Sequence, residues 1–146
     1  MGKSPESTSP GLVVDLACRR LRMRPLILVV DDSPDALTIL RFLLLAEGYE
    51  VVTAGSVPEA LCEISTQAPD LLITDYVMPG LSGMELCRHL RAHAATQHIP
   101  IIVHTALDLA PEGTALYEWL FVKPTDPAAL VAEVRSLLSR APARST

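Results

Sequence analysis

Polar residues stand at the ends of four apolar runs in this chain. Asp31 and Asp32 follow Leu26-Ile-Leu-Val-Val30, Asp75 closes the run through Leu71, Leu72 and Ile73, Thr105 follows Ile-Ile-Val-His104, and Lys123 follows Trp119-Leu-Phe-Val122. An apolar run without alternation is the mark of a strand covered on both faces, as in a parallel sheet. The carboxyl ends of such strands lie on one edge, where open α/β sheets bind ligands. Asp31, Asp32, Asp75, Thr105 and Lys123 are therefore expected to converge. Three carboxylates at one point repel one another, and a hard divalent cation relieves this; Mg²⁺, held by carboxylates and water, suits the ligand types. One carboxylate could then attack a phosphoryl group and form an acyl phosphate, a transfer promoted by positioning and charge neutralisation. Lys123 would supply positive charge and the Thr105 hydroxyl a hydrogen bond to a phosphoryl oxygen. Asp75, followed by the turn Met78-Pro79-Gly80, is the first candidate for this chemistry.

These side chains need a scaffold, and the pattern between them supplies one. Ser33 as N-cap with Pro34 behind it opens a helix carrying Ile39, Leu40, Leu43 and Leu44, which Gly48 ends. Glu50–Ala54 reads as the second strand. Ser56-Val-Pro-Glu59 and Ser82-Gly-Met-Glu85 are two capping boxes, each opening a helix. The central strand spans 70–75 and the fourth runs from Ile99 to His104, with a proline tolerated near its start. Residues 106–118 are interrupted by Pro111 and Gly113, leaving room for a short helix around 112–118. After the fifth strand, a last helix begins near Thr125 or Asp126, with Leu130, Val131, Val134, Leu137 and Leu138 on one stripe. Five alternations of strand and helix predict a doubly wound parallel sheet with right-handed crossovers.

Composition bounds the function. The chain has 146 residues, 49% of them apolar, which suits one domain with a real core. It shows no apolar run of membrane-spanning length and no signal-peptide pattern, so a cytoplasmic protein is expected. Glu6 breaks the myristoylation pattern. Cys18, Cys62 and Cys87 form no close pair and read as reduced thiols on helices. Residues 1–25 carry five basic and two acidic side chains, net +3, whereas residues 26–146 carry seven and fifteen, net −8. An acidic body argues against nucleic acid as a direct ligand. The expected organisation is an N-terminal tail over 1–24, a folded domain over 25–140 and a short tail over 141–146. Leu12, Val13, Leu16, Ala17 and Leu21 lie near helical spacing, so the first tail has an amphipathic alternative.

Over residues 26–139 the chain resembles the receiver domain of bacterial two-component response regulators, the CheY-like family. The resemblance rests on the acid pair after strand one, Asp75-Tyr-Val-Met-Pro-Gly80 after strand three, Thr105-Ala after strand four and Lys123-Pro after strand five. It implies a flavodoxin-like strand order 2-1-3-4-5 and Asp75 as phosphoacceptor. It also implies Asp31 and Asp32 as metal carboxylates, with Asp32 favoured as direct ligand. The resemblance further implies the Val77 backbone carbonyl as a Mg²⁺ ligand, and Thr105 and Lys123 as the phosphate contacts. Partners would be a sensor histidine kinase or a phosphotransfer protein, and an unknown downstream protein. The expected function is that of a stand-alone receiver, since the tail after Arg140 is too short for an output domain. No activity on free substrates is expected, only the chemistry of its own phosphorylation and dephosphorylation.

Two features depart from the family. Receivers typically carry an aromatic three residues before the lysine; here Leu120 stands there, flanked by Trp119 and Phe121, and a one-residue shift would bring Trp119 into its place. The segment from Thr105 to Lys123 is about four residues short, roughly one helical turn. The fourth helix is thus expected to be short, displaced or poorly ordered, exposing apolar surface on strands four and five to a partner or a second copy. The main rival is a pseudo-receiver, an interaction module with the fold but without phosphorylation. An aspartyl-phosphate phosphohydrolase like those of the haloacid dehalogenase family needs an acid two residues after the nucleophile, where this chain has Val77. Taken singly, each residue also has a plain structural role: Asp31 or Asp32 as a helix cap, Asp75 as a turn residue, Lys123 as surface. His89 and His93, four apart on a helix, read as a solvated face, and His104 as a packed strand-end residue.

Overall fold

A computed structural model describes residues 24–106 and 116–140. Their elements are β1 (Leu26–Val30), α1 (Pro34–Ala46), β2 (Glu50–Ala54), α2 (Val57–Thr66), β3 (Leu71–Thr74), α3 (Gly83–Arg91), β4 (Ile101–Thr105), β5 (Trp119–Val122) and α4 (Pro127–Arg140). The strands are all parallel and ordered β2-β1-β3-β4-β5. This is the doubly wound, flavodoxin-like arrangement. The expected fourth helix, around 112–118, falls largely within residues 107–115, outside the described residues. The two tails, 1–23 and 141–146, do so as well.

Burial explains the uniform strands. Successive side chains point to opposite faces, and each face meets helices. Ile27, Val29, Leu71, Ile73 and Ile102 pack with Leu40 and Leu44 of α1 and with Leu130, Val134 and Leu137 of α4. Leu28, Val30, Leu72, Ile101 and Val103 pack with Ala60 of α2 and with Met84, Leu86, Cys87 and Leu90 of α3. Strands β1, β3 and β4 are buried throughout, whereas the outer strands β2 and β5 are partly exposed.

Two of the three expected serine caps form. The Ser33 hydroxyl accepts from the Ala36 N–H at 3.3 Å, with Pro34 in the first turn. The Ser56 hydroxyl accepts from the Glu59 N–H, and Glu59 reaches back to the N–H of Gly55, one residue before the cap. Ser82 stands at the N-cap of α3 but makes no side-chain cap bond. The second capping box is therefore not formed, and backbone contacts around Gly83 hold that end instead. Gly48 takes φ +94°, the left-handed conformation that ends α1 before β2.

The opposite edge of the sheet is pinned by polar residues. The Leu26 N–H donates to Asp70 Oδ2 at 2.8 Å, and the Asp70 N–H returns a bond to the Leu26 carbonyl. The Arg91 guanidinium, at the end of α3, donates to the carbonyls of Leu116, Gln97 and Ile99 and pairs with Glu118 at 3.0 Å. Glu118 in turn accepts the Ile101 N–H at 2.7 Å. Arg91 and Glu118 thereby join the stretch leading into β4 to the stretch leading into β5.

Candidate acidic phosphoryl-acceptor site

The carboxyl ends of β1 and β3 are adjacent because β3 pairs with β1, and the Asp75 N–H donates to the Val30 carbonyl at 2.9 Å. This pairing brings the acids together: carboxylate oxygens of Asp31, Asp32 and Asp75 lie within 4.8 Å of one another. Asp31 and Asp75 are buried, and Asp32 is exposed. The set thus has an inner floor and one solvent-facing arm.

Lys123 reaches into this cluster from the end of β5. Its Nζ lies 2.7 Å from Asp31 Oδ2 and 3.4 Å from Asp75 Oδ2. The other Asp31 oxygen accepts the Ser33 N–H at 2.9 Å, and the other Asp75 oxygen accepts the Tyr76 N–H at 2.7 Å. Burial by itself lowers the affinity of the Lys123 ammonium for its proton. The hydrogen bond to Asp31 and the charges of Asp31 and Asp75 outweigh that, holding its pKa above the ordinary lysine value. One ammonium among three carboxylates leaves the site short of positive charge. That oxygen-only donor set suits a hard divalent cation.

Thr105 closes β4, is buried, and its carbonyl accepts the Lys123 N–H at 2.8 Å. Val77 lies exposed two residues after Asp75. His104 is also at this end, with Nε2 2.9 Å from the Thr125 hydroxyl and Nδ1 buried without a hydrogen-bond partner. Burial, and then the Lys123 charge, push its pKa below the ordinary histidine value; Asp31 and Asp75 oppose this only partly. His89 and His93 are exposed on or just beyond α3, with ring centroids 4.4 Å apart. Cys62 and Cys87 are free thiols on helices, as expected.

Gly83 is a positioning residue that strand-end reasoning passes over. A Cβ placed there would collide with the Asp75 carbonyl oxygen, and would sit 3.0 Å from the carbonyl carbon and 3.2 Å from the Thr74 hydroxyl. The Gly83 N–H donates to the Tyr76 carbonyl at 2.9 Å. Only a bare backbone allows the start of α3 this close to the acidic segment. A glycine directly after a cap-type serine and before an apolar stripe was the available sequence signal.

The register of β5 decides which residue sits three before the lysine. Leu120 pairs with Val103 and packs in the core shared with α2 and α3, while Trp119 pairs with Ile102 and is half exposed. There is no one-residue shift. Leu120 itself occupies the position, and Trp119 stays on the other face, its ring 6.3 Å from that of Phe121.

Such a sheet, with acids and a lysine gathered at its carboxyl edge, defines a class: doubly wound α/β domains with a polar site at the carboxyl ends of their strands. Comparison with known proteins narrows it. A family model for the response regulator receiver domain matches residues 27–135, and the chain belongs to that family. It is 40% identical over 124 residues to the phosphate regulon transcriptional regulatory protein PhoB of Rhizobium meliloti, covering 82% of this chain and 54% of that protein. It is 40% identical over 115 residues to the response regulator PleD of Caulobacter vibrioides, covering 76% of this chain and 25% of PleD. The chain thus spans about half or less of the length of these relatives. Among solved structures, the chemotaxis protein CheY4 of Vibrio cholerae matches with a TM-score of 0.73 at 29% identity, over 78% of this chain and 98% of that one. The response regulator TrrA of Thermotoga maritima, solved in complex with Mg²⁺ and BeF, matches with a TM-score of 0.71 at 33% identity, over 77% and 98%. Among the described residues, no helix is long and apolar enough to cross a membrane.

Proposed function

We infer that this domain accepts a phosphoryl group on Asp75 and passes the signal on by protein contact or by handing the group to a phosphotransfer protein. The observation that carries this reading is the placement of Lys123 between Asp31 and Asp75 inside the acidic cluster. The Tyr76 N–H holds one Asp75 oxygen, so the oxygen facing Lys123 is the one presented to the donor. A bond forms between that oxygen and phosphorus as the donor's bond to phosphorus breaks. Lys123 balances charge on the transferred group, and the Thr105 hydroxyl donates to one of its oxygens. Asp31, Asp32, Asp75 and the Val77 carbonyl would hold Mg²⁺, which when bound neutralises charge on the phosphoryl oxygens. The chemistry is self-modification, not turnover of a free substrate. A sensor histidine kinase or phosphotransfer protein is the fitting donor, in the cytoplasm.

A pseudo-receiver that binds partners without phosphorylation is the second reading, favoured by Leu120 at the position where the family typically has an aromatic. Intact-protein mass after incubation with acetyl phosphate and Mg²⁺ separates the two. The expected result is one added phosphate in the native protein, none in Asp75→Asn, and none when the metal is chelated. If that phosphate is absent with acetyl phosphate and also with kinase or phosphotransfer donors, the pseudo-receiver reading takes over.

A further inference from the structure

His104 sits in a strand that is buried throughout, and is itself only 8% exposed. It lies on the same face of β4 as Ile102 and lines an apolar groove with Leu40 and Leu43 of α1 and with Pro124 and Leu130. A polar side chain buried among such neighbours costs stability unless it is hydrogen-bonded, and a leucine would fill the place without that cost. The imidazole makes one polar contact in return. Its Nε2 lies 2.9 Å from the Thr125 hydroxyl, which donates to the Val122 carbonyl at 3.2 Å. A hydroxyl has a single proton. With that proton on the Val122 carbonyl, the Thr125 oxygen is left to accept, so the network assigns the His104 proton to Nε2. The other tautomer would bury an N–H at Nδ1, which has no hydrogen-bond partner, and would draw the Thr125 proton away from Val122.

The two bonds bracket Lys123, since Val122 precedes it and Thr125 follows it two residues on. We propose that His104 is a positioning residue for Lys123, acting through Thr125 to fix the turn Val122–Thr125 against the end of β4.

The local backbone explains why such a tie matters. β5 is a short strand at the edge of the sheet, and Lys123 is the first residue beyond it. The Lys123 N–H donates to the Thr105 carbonyl at 2.8 Å, but Pro124 behind it has no N–H with which to anchor the chain. The bridge from His104 supplies a second tie, from the residue next to Thr105. A lysine carries its ammonium on a flexible four-carbon stem. Its Nζ therefore stays 2.7 Å from Asp31 and 3.4 Å from Asp75 only while the backbone beneath it is held. Displacing a reacting group by about 1 Å can lower a rate about 100-fold. The bridge itself is independent of phosphoryl chemistry; its effect on phosphate uptake rests on the acceptor reading proposed above.

Amide hydrogen exchange and phosphate uptake on one set of full-chain variants test this. His104→Leu and Thr125→Val break the bridge; His104→Gln keeps an N–H at the reach of Nε2, and Thr125→Ser keeps the hydroxyl. The Lys123 amide is expected to exchange about 10-fold faster in the first pair and at the native rate in the second. The Asp75 amide, bonded to the Val30 carbonyl, should be unchanged in all four. Uptake from acetyl phosphate with Mg²⁺ should slow about 10-fold in His104→Leu and Thr125→Val alone, and His104→Leu should add nothing to Lys123→Ala. Unchanged exchange at Lys123, or changes in the Gln and Ser variants as large as in the other two, would overturn the proposal. So would a His104→Leu effect on uptake that persists in full without Lys123, because the imidazole would then act elsewhere. If the native protein takes phosphate from no donor, the acceptor reading fails, and exchange at Lys123 still decides the bridge.

Discussion

In the proposed acceptor reading, Lys123 joins two demands that pull on one side chain: it pairs with Asp31 and would stand ready for a group arriving at Asp75. At 2.7 Å from Asp31 and 3.4 Å from Asp75, it favours the deeper acid and leaves the Asp75 oxygen more loosely held. Replacing it removes a preorganised charge from the point where phosphoryl charge would gather. Lys123→Ala is expected to slow phosphate uptake from acetyl phosphate by about 100-fold or more, with the far-ultraviolet circular dichroism unchanged. A rate within a few-fold of native would remove Lys123 from the chemistry. His104 makes a different prediction. Its lowered pKa means that the folded state refuses a proton which the unfolded chain takes up near 6.5. Stability should therefore be fully present above that value and decline as pH falls through it towards the folded pKa. Denaturant midpoints at pH 7.5 and 5.5 should fall further apart in the native protein than in His104→Asn; equal spacing would assign the loss to other groups.

At the scale of elements, the site depends on how closely α3 can approach the end of β3. Gly83 makes that approach possible, and the absent side-chain cap at Ser82 shows that backbone contact, not capping, sets where the helix begins. Gly83→Ala must move either α3 or the Asp75 backbone. It is expected to destabilise the domain by about 1–3 kcal/mol, as overpacking does elsewhere, and to slow phosphate uptake as well. Denaturation and acetyl phosphate kinetics on the same variant check both parts. Unchanged values would mean that the segment after Asp75 yields freely.

At the scale of the whole molecule, β5 is an edge strand of the sheet, with Trp119 at 48% and Val122 at 39% exposure. Such an edge invites pairing or packing with another chain. Self-association through the β4–β5 region is accordingly expected, with Trp119 central to it. Sedimentation over a range of concentrations should show a dimer that Trp119→Lys abolishes; a monomer at every concentration would leave that surface to a partner of another kind.

Much of this was legible along the chain because it depends on periodicity and on residue type at the ends of runs. The strands of a two-sided parallel sheet must be apolar throughout, and the polar residues that end them must fall on one edge. The strand order, and the convergence of Asp31, Asp32, Asp75 and Lys123, followed from that rule together with the family resemblance. Strand ends shifted by a residue or two, as at Ile101–Thr105, because pairing register and not composition sets them. What only the tertiary structure decided concerns approach between segments distant in sequence. Lys123 lies 92 positions from Asp31, and which acid it favours depends on packing. Gly83 is needed because of a backbone 8 positions away, Arg91 at the end of α3 finds its ion-pair partner Glu118 27 positions on, just before β5, and Leu120 keeps its place because Val103 fixes its register. Sequence pattern determines which face or edge each residue occupies; distances across that edge arise only when separate elements pack against one another.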